Sequence, residues 1–510
     1  MSAAAPAPED RPEAPGEPPT GGGLEWINRF AALPDAFHHR PDPAPFPGAQ
    51  LLASSPAMRE RLSLTPDDLA AEPWLGMITR GEPVAGTPQV ASVYAGHQFG
   101  VYVPQLGDGR AKLLGEVRTP AGEHWELQSK GSGPTAFSRH ADGRAVLRSS
   151  IREYLVSEHM AAMGIPTTRA VALYGSSLRV FRERIESGAV VLRAAPSFLR
   201  FGHFEYFHYA GYPERLRQLI DYALDHDFPE HREAEDPVRA MLETVTARTA
   251  ELMADWQAVG FCHGVMNTDN MSLTGLTIDY GPFAFMDAYD PDYICNHTDQ
   301  GGRYAFARQP GVALWNLTRL AETLVAHFNA PDVDTAVEQA KSVLEAFQGQ
   351  FRAAWLRRMR AKLGLQLERE EDESLVQELL ARMAAEGIDY TRLFRQLPEL
   401  EDGGTRQGFI EELEDPQAWQ AWEERYRERL AQESRPTPER HAAMRAVNPK
   451  YVLRNHLAQT AIERAEDGDF SELERLQRVL SRPFDEQPEA EDLAELPPAW
   501  ASGIQLSCSS

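Results

Sequence analysis

The chain has 510 residues, of which 42% are hydrophobic and 25% are charged, and its formal net charge is −25. This composition is typical of a globular protein that is long enough to bury a large core. The acidic excess disfavours a broad nucleic-acid-binding face, because such a face requires surplus Lys and Arg.

The start of the chain is rich in Pro, Ala and Glu over residues 1–23, and we expect this segment to be disordered. It lacks the basic start and the apolar centre of a signal peptide. The sequence has no run of about 18 apolar residues, which excludes a membrane-spanning helix. The 3 cysteines are too few for a disulfide framework and are typical of a reducing compartment. We therefore expect a cytoplasmic protein that binds neither membranes nor nucleic acid, and we expect a monomer.

The first predicted elements are strands. Between residues 85 and 130, short β-prone runs are separated by the turn-forming sequences GDG, TPAG and KGSG, and Asp108–Gly109 fits a hairpin turn. Residues 144–165 have apolar positions at helical spacing, and residues 169–195 return to β-prone sequence. The pattern predicts a small β-rich region with one helix.

Helices dominate beyond residue 210, apart from turn-rich sequence at 263–310. The predicted class is α+β, with a β-rich part that precedes a larger helical part. The predicted regions are the disordered start, the β-rich N-terminal region, the helical region with polar loops, a helical extension and an acidic tail: 1–23, 24–210, 211–330, 331–480 and 481–510.

This order suits an ATP site between two parts of a protein, which needs a glycine-rich loop over phosphates and a cation on a strand. The loop candidate contains Gly107, Gly109 and Arg110, because glycine lets backbone N–H groups approach phosphate oxygens. The alternative is a plain turn between strands. Lys130 ends a strand-like run, and Glu153 on the following helix has the charge to hold its ammonium group. The alternative for Lys130 is an ordinary surface position.

A polar loop follows, with the sequence HGVMNTDNMSLTGLTIDYGPF at residues 263–283. Asn270 and Asp279 are hard oxygen ligands that suit Mg²⁺ or Mn²⁺, and the run SLTGLTI between them fits two short strands. Asp269 is a candidate general base. The alternative is a polar hairpin whose Asp and Asn residues only cap the backbone. No paired Cys or His supplies a zinc set, so His263 is interpreted as structural.

Arg193 and Arg200 lie seven positions apart in the sequence LRAAPSFLRFG. Planar guanidinium groups bind phosphate through two hydrogen bonds, which makes this pair a candidate phosphate site. In a chain that is rich in Arg, ordinary surface positions are the alternative.

Four long motifs carry a resemblance to a known family: YAGHQFGVYVPQLGDGRA, ELQSKGSGPTAFSRHADGRAVLRSSIREYL, HGVMNTDNMSLTGLTIDYGPFAFMD and NPKYVLRNHLAQTAI. They closely resemble the selenoprotein O family, called YdiU in bacteria, over roughly residues 25–510. The resemblance implies a protein-kinase-like bilobal fold with a small β-rich N-lobe and a large helical C-lobe. It also implies transfer of AMP from ATP, or of UMP from UTP, to Ser, Thr or Tyr hydroxyls of proteins. The nucleotide is then expected to bind in a flipped orientation relative to that in ordinary kinases.

Carried over by motif, the resemblance assigns a role to each candidate. Glu153 supports the lysine, Asp269 accepts the proton, and Asn270 with Asp279 binds Mg²⁺ or Mn²⁺. The implied nucleotide-binding residues are Gly107, Gly109, Arg110, Lys130, Asp142, Gly143, Arg193, Arg200 and Asp279.

Two alternatives remain: a kinase-like phosphotransferase and a catalytically inactive scaffold. Alignment of His263 and Asn270 on the kinase catalytic loop places Val265 where the basic Asp belongs, which disfavours ordinary kinase chemistry. An inactive scaffold is expected to lose the lysine or the metal ligands, and this chain retains them.

Some family members carry selenocysteine at the third residue from the end, where this chain has Cys508. Cys295 lies in the segment that corresponds to a kinase activation loop. A reversible Cys295–Cys508 disulfide that pins the tail across the site is one hypothesis, and two unrelated thiols are the alternative.

Overall fold

The computed structural model describes residues 24–83, 87–401 and 416–507. The described chain combines a large antiparallel sheet with many helices, in agreement with the predicted α+β class. The segment predicted to be disordered, residues 1–23, lies outside the described residues. The strands are β1 (Glu25–Ile27), β2 (His38–His39), β3 (Gln50–Ser54), β4 (Ala91–Ser92), β5 (Gly96–Gln98), β6 (Val101–Val103), β7 (Ala111–Arg118), β8 (His124–Lys130), β9 (Ala145–Val146), β10 (Arg169–Phe181), β11 (Ile185–Ala195), β12 (Phe261–Cys262) and β13 (Ala284–Phe285).

Helices dominate the described residues beyond residue 210, as predicted. They are α1 (Pro56–Leu62), α2 (Pro66–Leu69), α3 (Trp74–Thr79), α4 (Leu147–Ala162), α5 (Phe201–Tyr209), α6 (Pro213–His226), α7 (Pro237–Val259), α8 (Gln309–Leu324), α9 (Val333–Lys362), α10 (Asp372–Glu386), α11 (Tyr390–Glu401), α12 (Pro416–Leu430), α13 (Thr437–Arg445), α14 (Asn455–Glu466) and α15 (Ser471–Leu480). None of the helices in these described ranges has the length and apolar character needed to cross a membrane.

The main sheet has the strand order β1–β7–β8–β11–β10–β3, and β9 pairs with β11 beside this path. The pairs are antiparallel, as their registers show. Lys130, the last residue of β8, pairs with Ala111 on one side and Val191 on the other, so it lies in the interior of the sheet. Most residues of β11 are buried, which indicates that both faces of this strand are covered.

Helix α4 lies within the predicted range 144–165 and packs on the sheet. Ile151, Tyr154 and Leu155 are fully or almost fully buried in the main core, at the three- and four-residue spacing that places side chains on one helix face. Glu153 lies on the same helix and is buried beside them. Burial of the apolar face therefore fixes the position of the carboxylate against the sheet.

The polar loop of residues 263–283 follows α7. The Asp236 side chain accepts a hydrogen bond from the Arg239 N–H and caps the start of α7, and Gly260 ends it in the left-handed region at φ 70°. Strands β12 and β13 then pair in antiparallel register and close the two ends of the loop. The pairing of β12 with β13 therefore holds the end of the polar loop next to its beginning, close to the end of α7.

Residues of the predicted helical extension and tail contribute to two apolar clusters, one of which is the main core. Helices α10 to α12 contribute to a second apolar cluster that also contains Cys262, Ala284 and Cys295. Further along the chain, Ala490 and Leu493 are buried in the main core. Within the predicted acidic tail, 481–510, the described part is thus partly packed: Ala490, Leu493 and Leu506 are buried, whereas Leu496 and Trp500 are exposed.

Candidate active site

A cavity of about 930 Å³ lies between the main sheet and the polar loop. It contains the residues predicted to bind nucleotide and metal together with the candidate base. Those lining it are Gly107, Gly109, Arg110, Lys130, Asp142, Gly143, Arg193, Arg200, Asp269, Asn270 and Asp279. The structure therefore brings together side chains that come from widely separated parts of the sequence.

Asp279 is the centre of an ionic cluster in this cavity. Lys130 Nζ lies 3.1 Å and Arg193 Nη1 lies 2.5 Å from Asp279 Oδ1, and Arg200 Nη1 donates a hydrogen bond to Asp279 Oδ2. Lys130 and Arg193 come from β8 and β11, whereas Arg200 directly precedes α5. Three cations from the first half of the chain therefore converge on one carboxylate from the polar loop.

Glu153 supplies a second carboxylate behind this cluster. Its Oε2 lies 2.7 Å from Lys130 Nζ, and its Oε1 accepts a hydrogen bond of 3.0 Å from Arg193 Nη1. The predicted Lys130–Glu153 pair is thus present, and it extends to Arg193. A buried guanidinium group is costly to leave unpaired, so this second contact explains why an arginine is retained inside the sheet.

The charged groups of the cluster shift the pKa values of their neighbours. Burial on its own would raise the pKa of Asp279, but Arg200, Lys130 and Arg193 together hold it well below its usual value. Burial lowers the pKa of Lys130, and the nearby Asp279 and Glu153 carboxylates oppose this effect. Asp279 therefore remains ionised, which a metal ligand requires.

Two polar residues of the cluster were missed by sequence reasoning. Gln128 accepts a hydrogen bond from Arg193 Nη2, and Asp108 Oδ1 lies 3.7 Å from Arg200 Nη2. Gln128 precedes Lys130 by two positions, and side chains at this spacing share one face of a strand. The two-residue spacing from Lys130 was therefore the sequence feature that could have identified Gln128.

The glycine-rich loop has a different structure from the one predicted. Asp108–Gly109 is not a hairpin turn, because the loop connects β6 to β7 and these two strands do not pair. The Asp108 carboxylate is buried and accepts hydrogen bonds from the Ser92 N–H at 3.1 Å and from its hydroxyl group at 2.7 Å. Gly107 has a φ of 82°, and a Cβ there would lie 2.5 Å from the Phe137 ring. The loop is thus folded back and covered by Phe137.

Asp142 and Gly143 lie at the exposed side of the cavity. Arg182 pairs with the Asp142 carboxylate at 2.8 Å, and the Arg144 N–H donates a hydrogen bond to it at 2.9 Å. The hydrogen bond from Arg182 is the main cause of a lowered pKa at Asp142. Gly143 has a φ of 63°, and a Cβ there would collide with the backbone of Gly133.

Asp269 lies in a 3₁₀ turn, Thr268–Asn270, at the edge of the cavity. Gln98 Nε2 donates a long hydrogen bond of 3.4 Å to its Oδ2, whereas Oδ1 is buried without a partner among the described residues. Burial raises the pKa of Asp269 to about 7. A carboxylate with such a pKa is half-protonated near neutral pH, which suits a group that accepts a proton during the reaction.

Asn270 presents an oxygen for a cation. Its Nδ2 donates a hydrogen bond of 3.0 Å to the Val265 carbonyl, which leaves Oδ1 as the free acceptor. Within the described ranges no group of three or more His, Cys, Asp or Glu residues is placed to hold a metal. Asn270 and Asp279 therefore fit a hard cation that takes its other ligands from phosphate and water, as Mg²⁺ commonly does.

The segment between Asn270 and Asp279 does not form the predicted pair of strands. Ser272 instead bridges to Arg200, and Thr277 bridges to Thr167. The two ends of the segment are thus anchored on separate parts of the chain. The prediction of two paired strands is wrong, because long-range contacts replace the local pairing.

Comparison with known proteins supports the assignment made from the motifs. The family model described as protein adenylyltransferase SelO matches residues 23–481. The chain belongs to the SelO family. The resemblance predicted from the four motifs is thereby confirmed.

The matches to similar curated proteins cover nearly the whole length of this chain and of each relative. The chain is 55% identical to a protein nucleotidyltransferase YdiU of Thioalkalivibrio sulfidiphilus, over 96% of this chain and 99% of the relative. It is 50% identical to a protein of the same name from Myxococcus xanthus, again over 96% and 99%. A relative of that name from Burkholderia ambifaria is 51% identical, over 96% of each chain.

His263 of this SelO-family chain lies beneath the cavity rather than in it. Its Nε2–H donates a hydrogen bond of 2.9 Å to the Ile278 carbonyl, and its ring stacks on Trp256 at 5.3 Å. Burial lowers the pKa of His263. A neutral, buried ring that holds the backbone next to Asp279 agrees with the predicted structural role.

Cys295 does not line the cavity, and Cys508 lies outside the described residues. The Cys295 thiol is buried, and burial raises its pKa well above the usual value. Close by in sequence, the His297 N–H donates a hydrogen bond of 3.0 Å to the Leu506 carbonyl. The end of the described chain is therefore attached to the segment that contains Cys295.

Proposed function

We propose that this protein transfers AMP from ATP to hydroxyl groups of Ser, Thr or Tyr in acceptor proteins, and releases pyrophosphate. UMP transfer from UTP is included, since both nucleotides carry the same triphosphate. The observation that carries the proposal is the placement of Asp269 in the same cavity as the Lys130, Arg193 and Arg200 cations. Membership of the SelO family supports the same chemistry.

The proposed architecture is that of a protein-kinase-like fold with two lobes. The main sheet with α4 corresponds to the smaller lobe, which carries Lys130 and Glu153. The polar loop and the helices around it correspond to the larger lobe. We place the boundary between the lobes before α5 rather than at residue 210. The support is a hydrogen bond of 3.0 Å from the Phe201 N–H at the start of α5 to the Met271 carbonyl in the polar loop.

The cation cluster is proposed to hold the triphosphate. Lys130, Arg193 and Arg200 now share the Asp279 carboxylate, and phosphate oxygens offer the same kind of acceptor with more negative charge. Guanidinium groups bind such oxygens through paired hydrogen bonds. Arg110 is exposed at the rim of the cavity and extends this positive surface.

A flipped nucleotide is proposed to place the α-phosphate, rather than the γ-phosphate, next to Asp269. The acceptor hydroxyl oxygen then bonds to the α-phosphorus while the bond to the bridging oxygen of pyrophosphate breaks. The hydroxyl proton passes to the Asp269 carboxylate. The cations stabilise the negative charge that develops on the leaving pyrophosphate.

The metal ion in this proposal is Mg²⁺ or Mn²⁺, held by Asn270 Oδ1 and the Asp279 carboxylate. When bound, it neutralises phosphate charge. Asn270 is already oriented by its hydrogen bond to Val265. Removal of divalent ions with EDTA is expected to abolish transfer, and addition of either ion is expected to restore it.

The intact mass of an acceptor protein after incubation with ATP tests the proposal. A gain of the adenylyl mass supports it, whereas a gain of phosphate alone would show a kinase. Val265 at the position of the kinase base disfavours that second outcome, because valine cannot accept a proton.

An inactive scaffold is the remaining alternative. Thermal stabilisation by ATP with a divalent ion, lost in Asp279→Ala, would argue against a scaffold that has lost its nucleotide or metal ligands. Absence of stabilisation with either ion would favour the scaffold.

A further inference from the structure

A short hairpin covers the candidate base from outside the main sheet. Strands β5 and β6 pair in antiparallel register, and Phe99–Gly100 forms the two-residue turn between them. Both turn residues have positive φ, 51° at Phe99 and 86° at Gly100, as expected for the turn that fits a twisted hairpin. The tip of the hairpin is therefore a tight turn of defined conformation.

The hairpin is attached directly to the polar loop of residues 263–283. The His97 N–H donates a hydrogen bond of 2.7 Å to Thr268 Oγ1, and the Phe99 N–H donates one of 3.1 Å to Asn267 Oδ1. Gly96 lies against Asp269 so closely that any side chain there would collide with the carboxylate. The position of the hairpin is thus fixed relative to the proton acceptor.

The outer side of this hairpin is apolar and exposed. Val101 is 69% exposed and Phe99 is 39% exposed. Behind them, the Tyr102 ring packs on Tyr209 at 4.7 Å, and Tyr209 is itself 40% exposed. Phe99 also lines the cavity that contains Asp269, so the apolar surface continues into the site. We refer to Phe99, Val101, Tyr102 and Tyr209 as the hairpin face.

Arg303 adds a cation beside this face. Its guanidinium group lies over the Trp315 ring at 4.7 Å, and a Cβ on Gly100 would be 3.2 Å from it. Asp299 accepts hydrogen bonds from the backbone N–H groups of Arg303 and Tyr304 rather than from the guanidinium. Arg303 forms no ion pair within the ranges that the structure describes, and its Nε is buried without a partner.

We infer that the hairpin face and Arg303 together form the docking surface for the acceptor protein. The occupant is a segment that carries a large apolar side chain and an Asp or Glu close to the hydroxyl that receives the nucleotide. Charge complementarity with the unpaired Arg303 and continuity of the apolar surface with the cavity support this occupant. The inference rests on the proposed function, since it describes the acceptor side of the same site.

A carrier protein with a randomised exposed segment around one fixed Tyr, Ser or Thr provides the test. The full chain is incubated with this library, ATP and Mg²⁺ or Mn²⁺, and the modified segments are sequenced by mass spectrometry. Wild type is expected to enrich acidic and large apolar residues at least about threefold near the modified hydroxyl. The readout is the sequence preference among the modified segments, because a general loss of activity lowers the yield without changing this preference.

Two variants probe the charge. Arg303→Glu is expected to replace the acidic preference by a basic one, and Arg303→Met is expected to remove it without reversal. Arg179, which is exposed on β10, provides the matched control, and Arg179→Glu is expected to leave selection unchanged. Thermal stabilisation by ATP in the Arg303 variants checks that the nucleotide side of the site is intact.

Another pair of variants probes the apolar contact. Val101→Ser is expected to reduce the apolar preference, whereas Val333→Ser, at a valine of similar exposure (72%), is expected to have no effect. AMP transfer without these preferences, or with preferences that none of the variants changes, would overturn the inference and leave the proposed function intact. Absence of AMP transfer by wild type to the library and to lysate proteins would overturn both.

Discussion

Lys130 and Asp279 are 149 positions apart in the chain, yet the Lys130 ammonium lies 3.1 Å from the Asp279 carboxylate. The contact joins the end of a central strand to the polar loop, across the cavity. Arg193 and Arg200 pair with the same carboxylate, so Asp279 contacts all three buried cations, whereas Glu153 contacts only Lys130 and Arg193. The stability of the fold and the proposed binding of the nucleotide therefore depend on the same carboxylate.

Asp279→Asn is expected to lower the free energy of unfolding by about 3–5 kcal/mol, the usual cost of removing one partner from a buried ionic cluster. The substitution leaves Lys130, Arg193 and Arg200 with less compensating charge. Urea denaturation at pH 7 measures the change. Asp142→Asn is the control, because its ion pair with Arg182 is partly exposed and is worth about 1 kcal/mol or less. Equal effects of the two substitutions would contradict the prediction.

Glu153→Gln is expected to lower the pKa of Lys130 further, because the carboxylate at 2.7 Å favours the charged ammonium. Lys130 then loses its proton at a lower pH, so the alkaline limb of the activity profile moves to lower pH. We also expect kcat/KM to fall roughly tenfold. Glu153→Asp, which keeps the charge, should recover part of both effects. An unchanged alkaline limb in Glu153→Gln would show that the pair is only structural.

Transfer activity of the wild-type protein is expected to rise as the pH increases through about 7, because Asp269 must be deprotonated to accept a proton and burial raises its pKa to that value. Asp269→Asn is expected to reduce kcat by about 10²–10⁴ while ATP still stabilises the protein. Rapid-quench measurements from pH 5.5 to about 8.5 would detect the limb. A wild-type profile that is flat over this interval would exclude Asp269 as the base.

The same buried carboxylate predicts an unusual stability profile. The pKa of Asp269 is about 7 in the folded protein against a usual 3.8, so the folded state holds the proton more tightly. Its contribution to stability is therefore present at low pH and is lost as the pH rises from about 4 to about 7. Relative to wild type, Asp269→Asn should gain stability over this window, by up to about 4 kcal/mol.

Asp142→Asn provides a comparison of opposite sign, because hydrogen bonding to Arg182 lowers the pKa of Asp142. Relative to wild type, that variant should lose a little stability as the pH rises through the acid range. Urea midpoints at a series of pH values measure both variants. A constant difference between Asp269→Asn and wild type would argue against a raised pKa.

Oxidation provides a test of the Cys295–Cys508 hypothesis. The hydrogen bond between His297 and Leu506 holds the end of the described chain near Cys295. The buried Cys295 thiol has a raised pKa, so little reactive thiolate is present and oxidation should be slow. Non-reducing peptide mapping after oxidant is expected to find the 295–508 linkage, absent in Cys295→Ser. Failure to find it after prolonged oxidation would favour two unrelated thiols.

Much of the site was predictable from sequence because its residues lie in long, specific motifs. The order of glycine-rich loop, strand lysine, helix glutamate and polar loop identified Lys130 and Glu153 as a pair, and the structure contains that pair. Apolar periodicity likewise predicted α4 and the helices that dominate beyond residue 210. These features depend on local sequence, and local sequence is sufficient to indicate them.

Contacts between distant segments could not be predicted in this way. The sequence did not indicate that Asp279 pairs with Arg193 and Arg200 at once, or that the hairpin of β5 and β6 covers Asp269. Local patterns also suggested a hairpin at Asp108–Gly109, where the structure has a folded loop. Residue types and their spacing thus determined the chemistry available to this protein. Tertiary packing decided which charges meet and how strongly each is buried, because both depend on segments that are adjacent only after the sheet and the helices pack together.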